Sequence, residues 1–169
     1  RHLSSAASDV YKRQVPGCGG DFSEGGRRWH HQFHSTLDLP EALIHGREKV
    51  YLGWFYSTFA SVPNAITEVD INEYVRTYSQ AGAMRAGFSY YRELPTDIED
   101  NLENIKRLKL PMPVLAIGGG VSYPHGRGRG AQTQDSLRRV ANNVEGRVFD
   151  NCGHFIPEEA PKRLNEELI

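Results

Sequence analysis

Apolar residues recur at three- and four-residue steps through the first two thirds of the chain, then give way to short continuous apolar runs. From Pro40 to about Phe59, "PEALIHGREKVYLGWFYSTF" opens with Pro at a first-turn position and Glu41 behind it. Leu43, Gly46/Arg47, Val50 and Trp54 follow at helical spacing, which predicts one amphipathic helix. "DINEYVRTYS" starts with Asp70 as N-cap and Glu73 at the third position, a capping-box arrangement, and aligns Ile71, Tyr74, Val75 and Tyr78 on one face. Past Gly82, "AMRAGFSYYREL" presents Met84, Phe88, Tyr91 and Leu94 together; "PTDIEDNLENIKRL" carries the stripe Ile98, Leu102, Ile105 and Leu108. After Pro111 the period changes. "MPVLAIGGG" is a short apolar run ending in glycines, the pattern of a buried parallel strand that must turn tightly. "TQDSLRRVANNV" reads as a helix with Leu137, Val140, Ala141 and Val144 inward, "GRVFD" as a second strand, and "PEEAPKRLNEELI" as a terminal helix opened by Pro157.

The order is therefore four helices, then β, α, β, α. A lone parallel pair is not stable without strands beside it, so the second half reads as the last third of a doubly wound α/β sheet. The helical part is expected to lie over the edge of that sheet. Three divisions follow: residues 1–14, 15–108 and 109–169. The first, "RHLSSAASDVYKRQ", is polar, has no apolar run and shows no periodicity, so it is not a signal peptide. It resembles a spurious translation found at the ends of genes assembled from environmental DNA; a genuine disordered tail is the alternative. Residues 15–28 are Gly-rich and read as a loop.

Composition narrows the function classes. The chain has 169 residues, 38% hydrophobic, 10% aromatic and 24% charged, the profile of a globular domain. Twenty basic and twenty-one acidic residues are interspersed and the net charge is −1, which leaves no electrostatic footprint for nucleic acid or an anionic membrane. No apolar stretch approaches the ~20 residues that span a bilayer. The expected partner is a small, roughly neutral molecule, with a homodimer left open. Cys18 and Cys152 form neither a disulfide framework nor a metal spacing. His30, His31 and His34 in "HHQFH" invite a metal reading, but no carboxylate or cysteine joins them at ligand spacing. "GGG" and "GRGRG" lack the GKS or GKT of a phosphate loop and read as turns.

The chemistry centres on "DNCGHFIPEE". In open α/β sheets, catalytic groups sit in loops beyond the carboxyl ends of strands, and His154 stands there, after the strand "RVFD" and the turn Asn151 to Gly153. Gly153 is expected to let the backbone bend so that the imidazole points back over the sheet. The bland role is capping the helix that Pro157 opens; histidine is a poor N-cap.

"DNCGHFIPEEAP" resembles the last active-site motif of the α/β-hydrolase fold, in which a Gly-His pair after the final strand supplies the histidine of the triad. "WHHQFH", "LPEALIHGREKVYLGWF", "DINEYVRTYS", "AGFSYYREL" and "PMPVLAIGGG" are similar, in the same order, to the cap and closing strands of the epoxide hydrolase and haloacetate dehalogenase branch. The resemblance covers residues 15 to 169. It implies a C-terminal α/β-hydrolase fragment: a helical cap over 15–108, then the last two parallel strands and their helices over 109–169. It also implies an aspartate nucleophile that forms a covalent ester with the substrate, hydrolysed by water that His154 activates. No GxSxG or GxDxG elbow occurs in the chain, so the nucleophile is expected upstream of Val15. "GGGVSYPHGRGRG" holds no Asp or Glu, so the triad acid is expected before the cap; Asp150 is too near His154 to orient it.

By the same resemblance, His30 and Tyr91 match the pair of donors that receives the epoxide oxygen, with Trp29, His31, Phe88 and Phe155 as substrate-binding neighbours. Core packing of Tyr91 with Phe88, and a structural role for His30, are the plain alternatives. Dehalogenases of the branch carry Trp directly after the cap histidine. Here that position is His31, which favours an epoxide over a halogenated acid as substrate. No metal and no organic cofactor is implied. A non-catalytic helical binding module is the reading of another class.

Overall fold

The computed structural model describes residues 25–169. The predicted tail over 1–14, and most of the Gly-rich loop over 15–28, lie outside the described residues.

Six helices come first: α1 (Trp29–Ser35), α2 (Leu39–Ile44), α3 (Glu48–Phe59), α4 (Glu68–Tyr78), α5 (Ala83–Arg92) and α6 (Leu94–Arg107). Strand β1 (Leu110–Gly119) follows, then α7 (Gln132–Leu137), β2 (Ala141–Phe149), α8 (Ile156–Glu159) and α9 (Pro161–Leu168). Among the described residues, β1 and β2 form a two-stranded parallel sheet, in register from Pro113↔Asn143 to Gly119↔Phe149. The register slips between Leu110 and Pro113, where Pro111 and Pro113 have no N–H to give the ladder. Among the described residues, the buried apolar side chains include Ile44, Phe59, Phe88 and Leu94 in the helices, Ala116, Ala141 and Phe149 in the sheet, and Cys152 after β2.

The single helix expected from Pro40 to Phe59 is two helices. Gly46 adopts φ +74°, a left-handed turn that ends α2 just after His45 and lets Glu48 begin α3. The buried face of α3 also differs from the expected one. Val50 is 75% exposed and Trp54 43%, while Tyr51, Phe55 and Phe59 turn inward in a chain of ring contacts 5.2 Å apart. Both stripes satisfy a helical period; the one with three aromatic rings wins because it buries more surface.

Three further boundaries move. The cap of α4 is Thr67, whose side chain accepts from the Asp70 N–H while Asp70 accepts from the Thr67 N–H, so Asp70 closes the capping box rather than opening it. The helix expected over 133–144 stops at Leu137, because the chain from Ala141 pairs with β1: sheet formation overrides local helical periodicity. The terminal helix is broken at Ala160 (φ −145°), the residue before Pro161, which the proline ring forces out of helical geometry.

Candidate active site

His154 occupies the turn beyond the carboxyl end of β2, and the backbone holds it tightly. Its N–H donates to the Phe59 carbonyl oxygen at 3.1 Å, and the Arg127 N–H donates to that same oxygen at 3.1 Å. Gly153 is needed here for close approach rather than for a positive φ: a Cβ on it would lie 2.5 Å from the Phe59 carbonyl oxygen and 2.8 Å from the Ser61 nitrogen. Gly119, at the end of β1, is excluded from carrying a side chain for the same reason, since its Cβ would fall 1.9 Å from the Gly153 carbonyl oxygen. The glycines that resemble a phosphate loop thus serve to let strand end, loop and helix end touch backbone to backbone.

The helical layer faces this turn across a cavity of about 200 Å³. His30, Phe88 and Tyr91 line it from α1 and α5, and His154 and Phe155 line it from the β2 turn. Phe59 stands between the two groups, with its ring centroid 5.7 Å from that of His30 and 5.5 Å from that of His154. Tyr91 meets His30 edge to face at 6.2 Å. Five of the seven sequence-predicted site residues therefore border one hollow.

Trp29 and His31 do not. Trp29 is 43% exposed and packs its ring against Phe33, Trp54 and Phe55. His31 is buried with its ring 5.1 Å from Tyr91, outside the lining. The cause is helical phase: in α1 only one of three consecutive side chains can point at a given wall, and His30 takes that place.

His30 shares the wall instead with His34, one turn further on, and with Tyr51 of α3, neither expected at the site. A short hydrogen bond joins the Nε2 atom of His34 to the Tyr51 hydroxyl. The His34 ring stacks on Phe88 at 4.5 Å and meets Tyr91 at 4.3 Å. Burial, reinforced by the nearby His30 and Arg92, lowers the His34 pKa to about 3, so its imidazole is neutral at ordinary pH. Burial, then Tyr91, pushes the Tyr51 hydroxyl well above the usual range, and it stays protonated. The i, i+4 spacing of His30 and His34 signalled that both lie on one face; what Tyr51 does there follows from the inward turn of α3. Arg92 braces this wall from behind, bonding the Thr36 carbonyl and Glu41. No cluster of three His, Cys, Asp or Glu side chains suited to a metal ion occurs among the described residues.

A helical layer ahead of parallel strands, with a Gly-His turn past the second of them facing that layer, is part of an α/β-hydrolase fold. No family model matches the chain. A soluble epoxide hydrolase of Corynebacterium sp. (strain C12) is 38% identical over 135 residues, which are 77% of this chain and 44% of that protein. The solved structure of the epoxide hydrolase CorEH superposes with a TM-score of 0.76 at 32% identity, covering 90% of this chain and 52% of its own. Cfl2 from Burkholderia cenocepacia gives 0.74 at 35% identity, over 89% and 49%. The chain is a homologue of soluble epoxide hydrolase, and it spans about half the length of the relatives it matches.

Proposed function

We propose that this chain supplies the lid and the general base of an epoxide hydrolase that works through an aspartyl ester. One observation carries the reading: His154, His30 and Tyr91, drawn from three distant parts of the sequence, border a single cavity. Attack by a carboxylate on a ring carbon breaks the C–O bond and leaves an alkoxide, which needs donors on the side away from the nucleophile. Tyr91 and His30 stand opposite the β2 turn and can each deliver a hydrogen bond, with one of them giving the proton. His154 then takes a proton from water and the resulting hydroxide attacks the ester carbonyl; the acyl C–O bond breaks, the diol oxygen leaves and takes a proton back from His154, and the aspartate carboxylate is regenerated on the enzyme. Net, epoxide and water give a vicinal diol. The nucleophile and the acid that orients His154 belong to the half of the hydrolase fold that this chain does not contain.

Aromatic side chains dominate the cavity wall, which suits an apolar, ring-bearing epoxide. The test is to incubate the full-length gene product with styrene oxide and, separately, with fluoroacetate, and to assay diol and free fluoride. Diol without fluoride is expected. Fluoride without diol assigns the site to dehalogenation, and neither product points to a binding module.

A further inference from the structure

Glu159, the last residue of α8, plays no part in the scheme above, yet its half-buried carboxylate gathers donors from both sides of the cavity. Oε2 accepts from the N–H groups of Gly153 (2.8 Å), Ser61 (2.7 Å) and Val62 (3.0 Å), and Oε1 accepts from the Phe155 N–H (2.8 Å). The Ser61 hydroxyl, 2.9 Å from Oε2 and 3.1 Å from the Asn151 carbonyl oxygen, has one proton to give to either. Two of these donors flank His154 directly in sequence. Two others lead out of α3, the helix that brings Tyr51, Phe55 and Phe59 to the cavity. Burial alone would raise the pKa of this carboxyl; the hydrogen bonds from Gly153, Ser61 and Phe155 outweigh it and hold the group below the usual carboxylate range, so it is charged at neutral pH.

We infer that Glu159 is a positioning residue for His154, acting on its backbone rather than its imidazole: the carboxylate pins the chain on either side of the histidine to the end of α3 so that base and lid keep one spacing. The claim rests on the proposed hydrolytic role of His154. Charge-assisted hydrogen bonds from several backbone N–H groups are short and directional, so they fix a loop where apolar contact alone would let it slide. A misplacement of about 1 Å at a reacting group costs on the order of 100-fold in rate. Ester formation does not use His154, whereas ester hydrolysis does, so loss of Glu159 must fall on the second step.

The experiment compares full-length wild type, Glu159→Ala, the milder Glu159→Gln, and His154→Gln in single turnover with styrene oxide, following the alkylated enzyme by intact mass. Amide hydrogen exchange is followed across residues 150–156 in the same samples. Glu159→Ala is expected to alkylate at the wild-type rate and to accumulate the ester as His154→Gln does, with hydrolysis slowed about 100-fold. Glu159→Gln, which keeps one acceptor oxygen, is expected to accumulate less. The amides of Gly153 and Phe155 are expected to lose protection in Glu159→Ala, and to a lesser degree in Glu159→Gln. Unchanged protection, unchanged hydrolysis, or equal loss of both chemical steps would overturn the inference. Failure of His154→Gln to trap any ester would instead sink the hydrolase mechanism, and the exchange data would still judge whether Glu159 holds the loop.

Discussion

The two walls of the cavity are built by different physics. On the helical side, His30, His34, Tyr51, Phe88 and Tyr91 pack ring on ring, and the His34–Tyr51 hydrogen bond is one polar link among them. Around His154 the order comes from backbone hydrogen bonds, glycines that permit close approach, and one carboxylate. Packed rings tolerate exchange for other rings of similar volume, whereas a backbone junction does not. The helical wall is thus the place where side-chain identity can drift, and the turn at His154, the proposed base, is the place where geometry is fixed.

That contrast can be broken at a side chain that touches both walls. Phe59 is buried, touches the rings of His30 and His154, and lies under the Arg127 guanidinium at 4.9 Å. Phe59→Ala is expected to cost about 4 kcal/mol in denaturant unfolding and to abolish turnover. A smaller effect should follow from damaging the hydrogen-bonded wall alone. Gly119→Ala drives a methyl group into the Gly153 carbonyl and is expected to cost about 3 kcal/mol. It should displace His154 while leaving the near-ultraviolet dichroism of the lid aromatics unchanged.

The smallest change sharpens the contrast by pH. The folded pKa of His34 is depressed to about 3 from the ordinary imidazole value of 6.5, so between these values the unfolded chain binds a proton that the folded chain does not. Its contribution to stability is complete above pH 6.5 and is lost progressively as the pH falls toward 3. His34→Gln, which keeps a partner for Tyr51 but cannot titrate, should cost about 1 kcal/mol at pH 8 and flatten the acid limb of the stability curve. An acid limb as steep as wild type would show that His34 is not the group responsible.

Much of this was readable from residue order. The change from helical spacing to apolar runs at Pro111, the face of α5 carrying Met84, Phe88 and Tyr91, and the Gly-His turn after β2 are all local patterns. What escaped is non-local. Which stripe of α3 faces inward depends on rings in α1, and the extent of β2 depends on β1. Glu159 lies in the first turn of the helix that Pro157 opens, where an acid needs no further explanation. Its distant partners, Ser61 and Val62, are given by no spacing rule.

Those partners also say something about how the molecule assembles. Ser61 and Glu159 stand 98 positions apart, and the Phe59 carbonyl closes similarly long loops to Arg127 and His154. Closing such loops costs entropy before any contact repays it, so the knot of hydrogen bonds around the histidine can form only once the lid helices and both strands have found each other. During folding, His154 should reach its final position among the last features to form.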